Sequence, residues 1–456
     1  MTHVLHIGLG RTGLPQALVA ADSGFEVYGT DVNDELMAQL EGGACPFQEP
    51  LMAELLERHI HGSFIPVRME GLGKVVPRCD YAVLAVNLRY DGLTMSPKLD
   101  NLVSSADLIF RHDIKRGLVV ILRSTMPLGT TDRLKAILGE KYKKMEGKDF
   151  HLAFVPERLV EGRAVSEERT ITKILSAYSD EGMRRLEALY SRIGGKLVRV
   201  STPKVAELAK LTDNSFRSTI FSFANDLALV AERNGIDVLE VITACNESYP
   251  RNAIPLPGPV SGTCLGKDPY ILELAAGMKE KRGFGSLWYY GRKANDGLAD
   301  HVVGSLVGEL RRCGHDSDAR VLVLGLSYRE NVDDFRMSHA IDIVRRLVAE
   351  APAFEVSVYD PGIDRSMYSR LPEELEKVVR NKYVELSPQV FRGVNAVVIT
   401  DRHEELVAAG RLRNLRQMLR YRETPFVIYD CWNIWREAGR LDGVVYRALG
   451  YGVRED

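Results

Sequence analysis

Short apolar runs alternate with helical patterns along the first part of the chain. Val4–Gly8 predicts a strand, a helix follows from about Gly13 to Ser23, and Phe25–Thr30 predicts a second strand ending at Asp31. Tyr81–Val86, Leu118–Leu122 and His151–Val155 read as further buried strands, and Ile171–Leu175 and Lys196–Val200 complete the segment. This rhythm indicates a parallel, doubly wound sheet. From about Thr202 the period changes. Val205 to Asn234 holds no Gly or Pro, and Leu208, Leu211, Phe216, Ile220, Phe223, Leu227 and Val230 recur at helical intervals. This long helix opens an all-helical stretch to roughly residue 312. Arg320–Gly325 then predicts a strand, Ser338–Ala349 a helix, and Val356–Asp360, Ala396–Thr400 and Phe426–Asp430 three more strands. Glu350-Ala351-Pro352-Ala353 is a turn.

With 456 residues the chain exceeds one ordinary core, so several domains are expected. The 60 basic and 62 acidic residues leave a net charge of -2, which points to no nucleic acid and no membrane surface as partner. No apolar run reaches the length of a bilayer span. Val4-Leu5-His6-Ile7 runs straight into a glycine loop, so no secretory signal and a cytoplasmic location are expected. The cysteines at 45, 79, 245, 264, 313 and 431 lack metal-ligand spacing and read as reduced thiols, with no metal site. All but Cys264 read as small buried hydrophobes, and Trp288, Tyr289 and Tyr290 as core.

Gly8-Leu9-Gly10-Arg11-Thr12-Gly13 lies between strand and helix, the context that a dinucleotide-binding loop needs. The first glycine permits the turn, the second lets the backbone approach a pyrophosphate, and the third allows close helix packing. Asp31 ends the second strand, where a carboxylate accepts from ribose hydroxyls and repels a 2′-phosphate; NAD is therefore expected over NADP. Arg11 faces either diphosphate or solvent. The second chemical feature is Gly262-Thr263-Cys264-Leu265-Gly266-Lys267-Asp268. A thiolate traps an aldehyde as a thiohemiacetal, which then loses a second hydride. Loop and thiol together suggest oxidation of an alcohol to an acid.

The chain resembles the UDP-glucose/GDP-mannose dehydrogenase family of nucleotide-sugar 6-dehydrogenases over nearly its whole length. Besides the two segments above, Ser124-Thr125-Met126-Pro127-Leu128-Gly129-Thr130-Thr131 resembles the family's Ser-Thr-Val-x-Pro-Gly-Thr segment. Pro156-Glu157-Arg158-Leu159-Val160-Glu161-Gly162 is similar to its Pro-Glu loop, and Lys210-Leu211-Thr212-Asp213-Asn214 to its Lys-x-x-x-Asn helix. Gly325-Leu326-Ser327-Tyr328-Arg329 through Asp333-Asp334-Phe335-Arg336-Met337-Ser338 resembles its third-domain substrate motif. The resemblance implies an NAD-binding Rossmann-like α/β domain over 1–201, a helical dimerisation region over 202–314 and a sugar-nucleotide-binding Rossmann-like domain over 315–456. It also implies a homodimer, and two hydride transfers that turn a sugar C6 alcohol into a carboxylate.

On this reading Cys264 is the nucleophile, and Lys267 supplies positive charge to the thiolate and borders the cofactor. Lys210 and Asn214, one helical turn apart, polarise the reacting oxygen. Asp268 and Thr125 surround a water, with Glu161 as general base; which of Glu157, Glu161 and Asp268 performs which step stays open. Ser124 and Thr125 border the cofactor together with the glycine loop, Arg11 and Thr12. Glu157, Arg158, Leu159, Arg251, Gly262, Tyr328, Arg329 and Arg336 border the substrate, one or both of Arg329 and Arg336 through its diphosphate. Three departures stand out. Asn87-Leu88 replaces a frequent Thr-Pro pair, Arg329 replaces a common lysine, and Trp432 replaces an arginine that some members use toward the nucleotide. The sugar is ambiguous: Pro156-Glu157-Arg158 resembles the N-acetylhexosamine branch, and Cys264-Leu265-Gly266-Lys267-Asp268 the UDP-glucose and GDP-mannose branches. Two alternatives are a single-step hydroxy-acid dehydrogenase and a non-catalytic NAD-binding homologue.

Overall fold

The computed structural model describes residues 1–90, 97–277, 283–315, 318–362 and 384–451. The chain divides into two compact units, Met1–Asp213 with Leu274–Gly277, and Asn214–Glu273 with Met278–Asp456.

In the first unit the strands are β1 (His3–Ile7), β2 (Glu26–Thr30), β3 (Phe64–Pro66), β4 (Tyr81–Leu84), β5 (Arg89–Tyr90), β6 (Pro97–Lys98), β7 (Leu118–Leu122), β8 (Phe150–Phe154), β9 (Lys173–Ala177) and β10 (Leu197–Arg199). Eight of them form one sheet in the order β10-β9-β8-β7-β4-β1-β2-β3, and β5 and β6 pair separately. The sheet is parallel except between β8 and β9, a departure from the all-parallel expectation. β9 also starts two residues later than expected, because Ile171 still caps the helix Ala164–Thr170. Successive residues of a strand feed opposite faces. Val4, Val83 and Val119 join one core with the helices Gly13–Asp22 and Asp180–Ile193, while Leu5, Leu84 and Val120 join the other with Asp100–Phe110 and Thr130–Tyr142.

The second unit contains β11 (Arg320–Leu324), β12 (Glu355–Tyr359), β13 (Ala396–Ile399), β14 (Phe426–Asp430) and β15 (Val444–Ala448). They form a parallel sheet in the order β12-β11-β13-β14-β15. One face carries helices directly: Ala228, Ile242, Leu298, Val302 and Leu306 share a continuous core with Val321, Val323, Val356 and Val398. The other face packs Phe391, Leu406, Leu415 and Trp435.

The long helix Pro203–Arg233 starts in the first unit and continues into the second. Pro203 suits a first helical position, where its missing N–H would be unpaired anyway. Its apolar stripe does not simply face a core. Leu211 is buried, but Phe216, Phe223 and Val230 are 63%, 57% and 57% exposed. The aromatic run after Gly285 also differs from expectation: Trp288 and Tyr289 are half-buried and Tyr290 is exposed, its ring edge-on to Tyr289. Of the cysteines, Cys79 and Cys431 are buried and Cys45, Cys245 and Cys313 half-buried, while Cys264 is exposed.

His6 in the first unit and His339 in the second are buried in neutral form. Burial, and then the charge of Arg123, lowers His6 from 6.5 to about 3. Burial, and then Arg292, lowers His339 from 6.5 to about 4. Below pH 6.5 the unfolded chain therefore takes up protons that the folded chain refuses. The stability that these two histidines contribute is full above that value and falls as pH drops toward the folded values, by about 2 kcal/mol each at about pH 5. Between about pH 7.5 and about pH 5 the melting temperature of the wild type is expected to drop relative to that of His339→Gln, which keeps an acceptor for Arg292. An unchanged slope in that variant would show His339 charged in the folded protein.

Candidate active site

The glycine loop is shaped by close backbone approach. A Cβ at Gly8 would lie 2.5 Å from the Ala85 carbonyl oxygen, and one at Gly13 2.1 Å from that of Gly8. Gly8 also has φ +94°, a left-handed conformation that glycine accepts readily. Around Gly10 a Cβ would meet nothing within 4 Å, so this side of the loop is open. Thr12 precedes the helix Gly13–Asp22 without a side-chain cap on its N–H groups, as an anion-binding helix start requires. Asp31 accepts from the backbone N–H of Leu9 at 2.7 Å and of Asn33 at 3.0 Å, which holds its carboxylate beside the loop. Arg11 lies over the Phe47 ring, 5.2 Å from its centroid. These residues fit a dinucleotide whose pyrophosphate meets the loop and whose ribose meets Asp31.

Two neighbouring loops are pinned to the start of the long helix. Glu207, fully buried, accepts from Gly129 N at 2.6 Å, Thr131 N at 2.8 Å and Thr131 Oγ1 at 2.6 Å. It thereby fixes the segment that holds Ser124 and Thr125. Ser124 Oγ donates to the Val86 carbonyl, and the Thr125 carbonyl accepts from Tyr90 at 3.4 Å. In the Pro-Glu loop, Arg158 pairs with Asp213 at 2.8 Å and donates to the Thr172 carbonyl. The structure thus uses Arg158 as a tether. Glu157 accepts from Leu159 N, and Glu49 accepts from Gly162 N at 2.7 Å and Ala164 N at 2.8 Å, bracketing the half-buried Glu161. Lys210 is buried on the helix one turn after Glu207.

In the second unit Cys264 sits in the first turn of the helix Thr263–Ala276 and is exposed. The free N–H groups of a helix start favour a thiolate. One turn on, Asp268 is fully buried. One of its oxygens accepts from Asn214 Nδ2 at 2.5 Å, the other from Lys267 Nζ at 2.5 Å. A carboxylate only accepts, so this contact fixes which way the Asn214 amide points. Lys267, expected to serve the thiolate, spends charge on Asp268. Gly262 has φ +90°, and a Cβ there would lie 2.7 Å from the Tyr328 ring, so Tyr328 closes over the nucleophile loop. Gly262 N donates to the Met337 carbonyl and His339 N to Ser261 Oγ.

Arg292, buried inside the helix Leu287–Arg312, completes this arrangement. Its Nη1 donates to the carbonyls of Val260 at 3.2 Å and Leu265 at 3.4 Å, one on each side of Cys264. Pro269 explains the second contact. Proline has no N–H, so the carbonyl four residues earlier, that of Leu265, loses its helical partner, and Arg292 replaces it.

The substrate candidates divide. Tyr328 N donates to the Asp334 carbonyl, closing its loop. Arg336 is engaged bidentately by Asp334, with Nε–Oδ1 3.0 Å and Nη2–Oδ2 2.5 Å. Arg329 lies 3.6 Å from Glu330. Arg251 is exposed and lies over Tyr249. Among the described residues no group of three or more metal-ligating side chains is gathered. The sequence reading missed Glu49, Glu207, Arg292 and His339. A proline inside a helical pattern was the one visible hint, since it leaves a carbonyl needing a donor.

Comparison with known proteins gives one answer along the chain. Residues 2–194 match the UDP-glucose/GDP-mannose dehydrogenase family's NAD binding domain, 204–296 its central domain and 322–437 its UDP binding domain. A UDP-N-acetyl-D-mannosamine dehydrogenase of Pyrococcus horikoshii is 30% identical over 453 residues, covering 98% of each chain. Another, from Yersinia pestis, is 30% identical over 390 residues, 82% of this chain and 88% of its own. The solved UDP-D-ManNAc dehydrogenase from Pyrococcus horikoshii superposes with a TM-score of 0.84 at 27% identity, covering 99% of this chain and 100% of that one.

Arg292→Met is expected to cost about 2 kcal/mol or more, because buried carbonyls lose their donor. Pro269→Ala restores an N–H to Leu265, so in that background the same change should cost less. Thermal melts of the four proteins of this cycle test it; strictly additive losses would show that Arg292 and Pro269 are not linked through Leu265.

Proposed function

We propose that this chain, which belongs to the UDP-glucose/GDP-mannose dehydrogenase family, oxidises the C6 alcohol of a UDP-linked sugar to a carboxylate in two steps. The observation that carries this reading is the exposed Cys264 at a helix start, one turn from an Asp268 bonded to Asn214. NAD would be held by Gly8–Gly13 and Asp31 and would supply the hydride acceptor for each oxidation. Lys210 and Asn214 present an ammonium and an amide N–H to the oxygen on the reacting carbon, steadying its negative charge. Once the alcohol has become an aldehyde, Cys264 Sγ bonds to its carbonyl carbon and the thiol proton ends on the oxygen. The second oxidation leaves a thioester. Water, deprotonated by Glu161 with Thr125 and Asp268 nearby, adds to the carbonyl; the C–S bond breaks, the thiol returns and the carboxylate leaves.

The named relatives act on UDP-N-acetyl-D-mannosamine, and Pro156-Glu157-Arg158 resembles that branch, so UDP-N-acetyl-D-mannosamine is the first substrate to try. UDP-glucose is the second, on the strength of Cys264-Leu265-Gly266-Lys267-Asp268. The reading includes a cytoplasmic homodimer supplying sugar acids for polysaccharide synthesis. All six cysteines are thiols, in keeping with a reducing compartment, and among the described residues no helix is long and apolar enough to cross a membrane. The dimer rests on Phe216, Phe223 and Val230, spaced seven apart and exposed, a stripe of the kind that a second helix covers.

A panel of UDP- and GDP-sugars should give NADH with a UDP-sugar at two NADH per sugar acid. Cys264→Ala should stop at or below one; two NADH from that variant would remove the thiol from the mechanism. Phe216→Asp with Phe223→Asp should convert a dimer to monomers in sedimentation. A wild-type protein that sediments as a monomer at enzyme-assay concentration would refute the dimer.

A further inference from the structure

Strand order makes β11 a turning point, with β12 on one side and β13 on the other. In open parallel sheets ligands bind outside the carboxyl ends of the strands at such a point. Two loops border it here, Gly325–Ser338 after β11 and Thr400–His403 after β13. We propose that Arg402, in the second loop, is a cation that grips the diphosphate of the nucleotide sugar, held in place for this by Trp432. The inference rests on the UDP-sugar reading above.

The guanidinium of Arg402 lies over the Trp432 indole, 4.9 Å from the ring centroid. The indole is itself fixed. Its Nε1 donates to the Thr400 carbonyl at 2.9 Å, its backbone N–H to Asp430 at 2.9 Å, and a Cβ on Gly258 would lie 2.4 Å from the ring. Arg402 N donates to Asp401 at 2.5 Å, which fixes the loop. An arginine stacked on an aromatic face keeps the N–H donors of its edge for an oxyanion. Arg402 is 43% exposed, so those donors are reachable.

The charges at this edge suit an anion. One Glu330 oxygen lies 3.6 Å from Arg329 and 3.8 Å from Arg402, both beyond hydrogen-bond distance. Arg336, by contrast, is bonded bidentately to Asp334. A diphosphate brings oxygens enough to displace Glu330 from Arg402 and bond its guanidinium.

Steady-state kinetics of Arg402→Met with the UDP-sugar should show KM raised about tenfold or more, with kcat within about threefold. UDP as competitive inhibitor should weaken by the same factor and uridine should not. Glu330→Gln, which removes the competing charge, should tighten UDP. The exchange Arg402→Trp with Trp432→Arg should recover most of the lost affinity. An unchanged KM in Arg402→Met, or an equal loss for uridine and UDP, would overturn the assignment. If the wild-type enzyme oxidises no UDP-sugar, it is the functional reading that fails; calorimetric binding of UDP to wild type and Arg402→Met then still decides the role of Arg402.

Discussion

The contact between Asp268 and Asn214 is the interaction on which the proposed chemistry of the second unit depends. Asp268 is fully buried, and an ionised carboxylate taken out of water is costly unless donors surround it. Asn214 and Lys267 supply them. The result is a buried hydrogen-bonded join between the helix that carries Cys264 and the long helix, with the amide orientation set by the carboxylate. Arg292 acts on the same element from the other side, through Val260 and Leu265. Cys264 is therefore exposed and yet held on well-anchored backbone. A reactive thiol needs access to its electrophile and a fixed approach to it, and this combination gives both.

The two units solve the same problem with the same parts. After β1, Gly8 N donates to the Thr30 carbonyl and Leu9 N to Asp31 at the end of β2. After β11, Gly325 N donates to the Tyr359 carbonyl, and Leu326 N and Ser327 N to Asp360 after β12. Both glycines have positive φ, and a Cβ on either would strike the segment after the next strand, at Ala85 or Asp401. The difference lies in burial. Asp31 is half-buried and keeps a face open, whereas Asp360 is fully buried and serves the loop itself. One geometry thus shapes the loop after the first strand of each sheet.

Much of this was legible in the chain. Strands such as Leu118–Leu122 and Arg320–Leu324 announce themselves because buried parallel strands are continuous apolar runs. The glycine loop, Cys264 and the Lys210-to-Asn214 turn are local patterns, readable at fixed spacing. What was not legible depends on partners far away in sequence. Nothing near Arg292 says that it serves a carbonyl orphaned by Pro269, and nothing near Glu207 names Gly129 and Thr131. The direction of β9 was missed because its side chains suit either pairing. The pairing of Arg158 with Asp213, distant in sequence, is likewise visible only in the coordinates.

The long helix ties these observations together. Glu207 uses one turn to pin the Thr125–Thr131 segment, Lys210 follows on the next, and Asn214 meets Asp268 on the turn after. Those positions advance by three and four residues, so they keep to one face of the helix. The exposed stripe of Phe216, Phe223 and Val230 advances by seven and occupies another. A helix can hold two such faces only if its interior is free of breaks, because a kink would rotate one set against the other. The absence of glycine and proline between Val205 and Asn234 meets that condition: the inner polar row and the outer apolar stripe are written on the same rod.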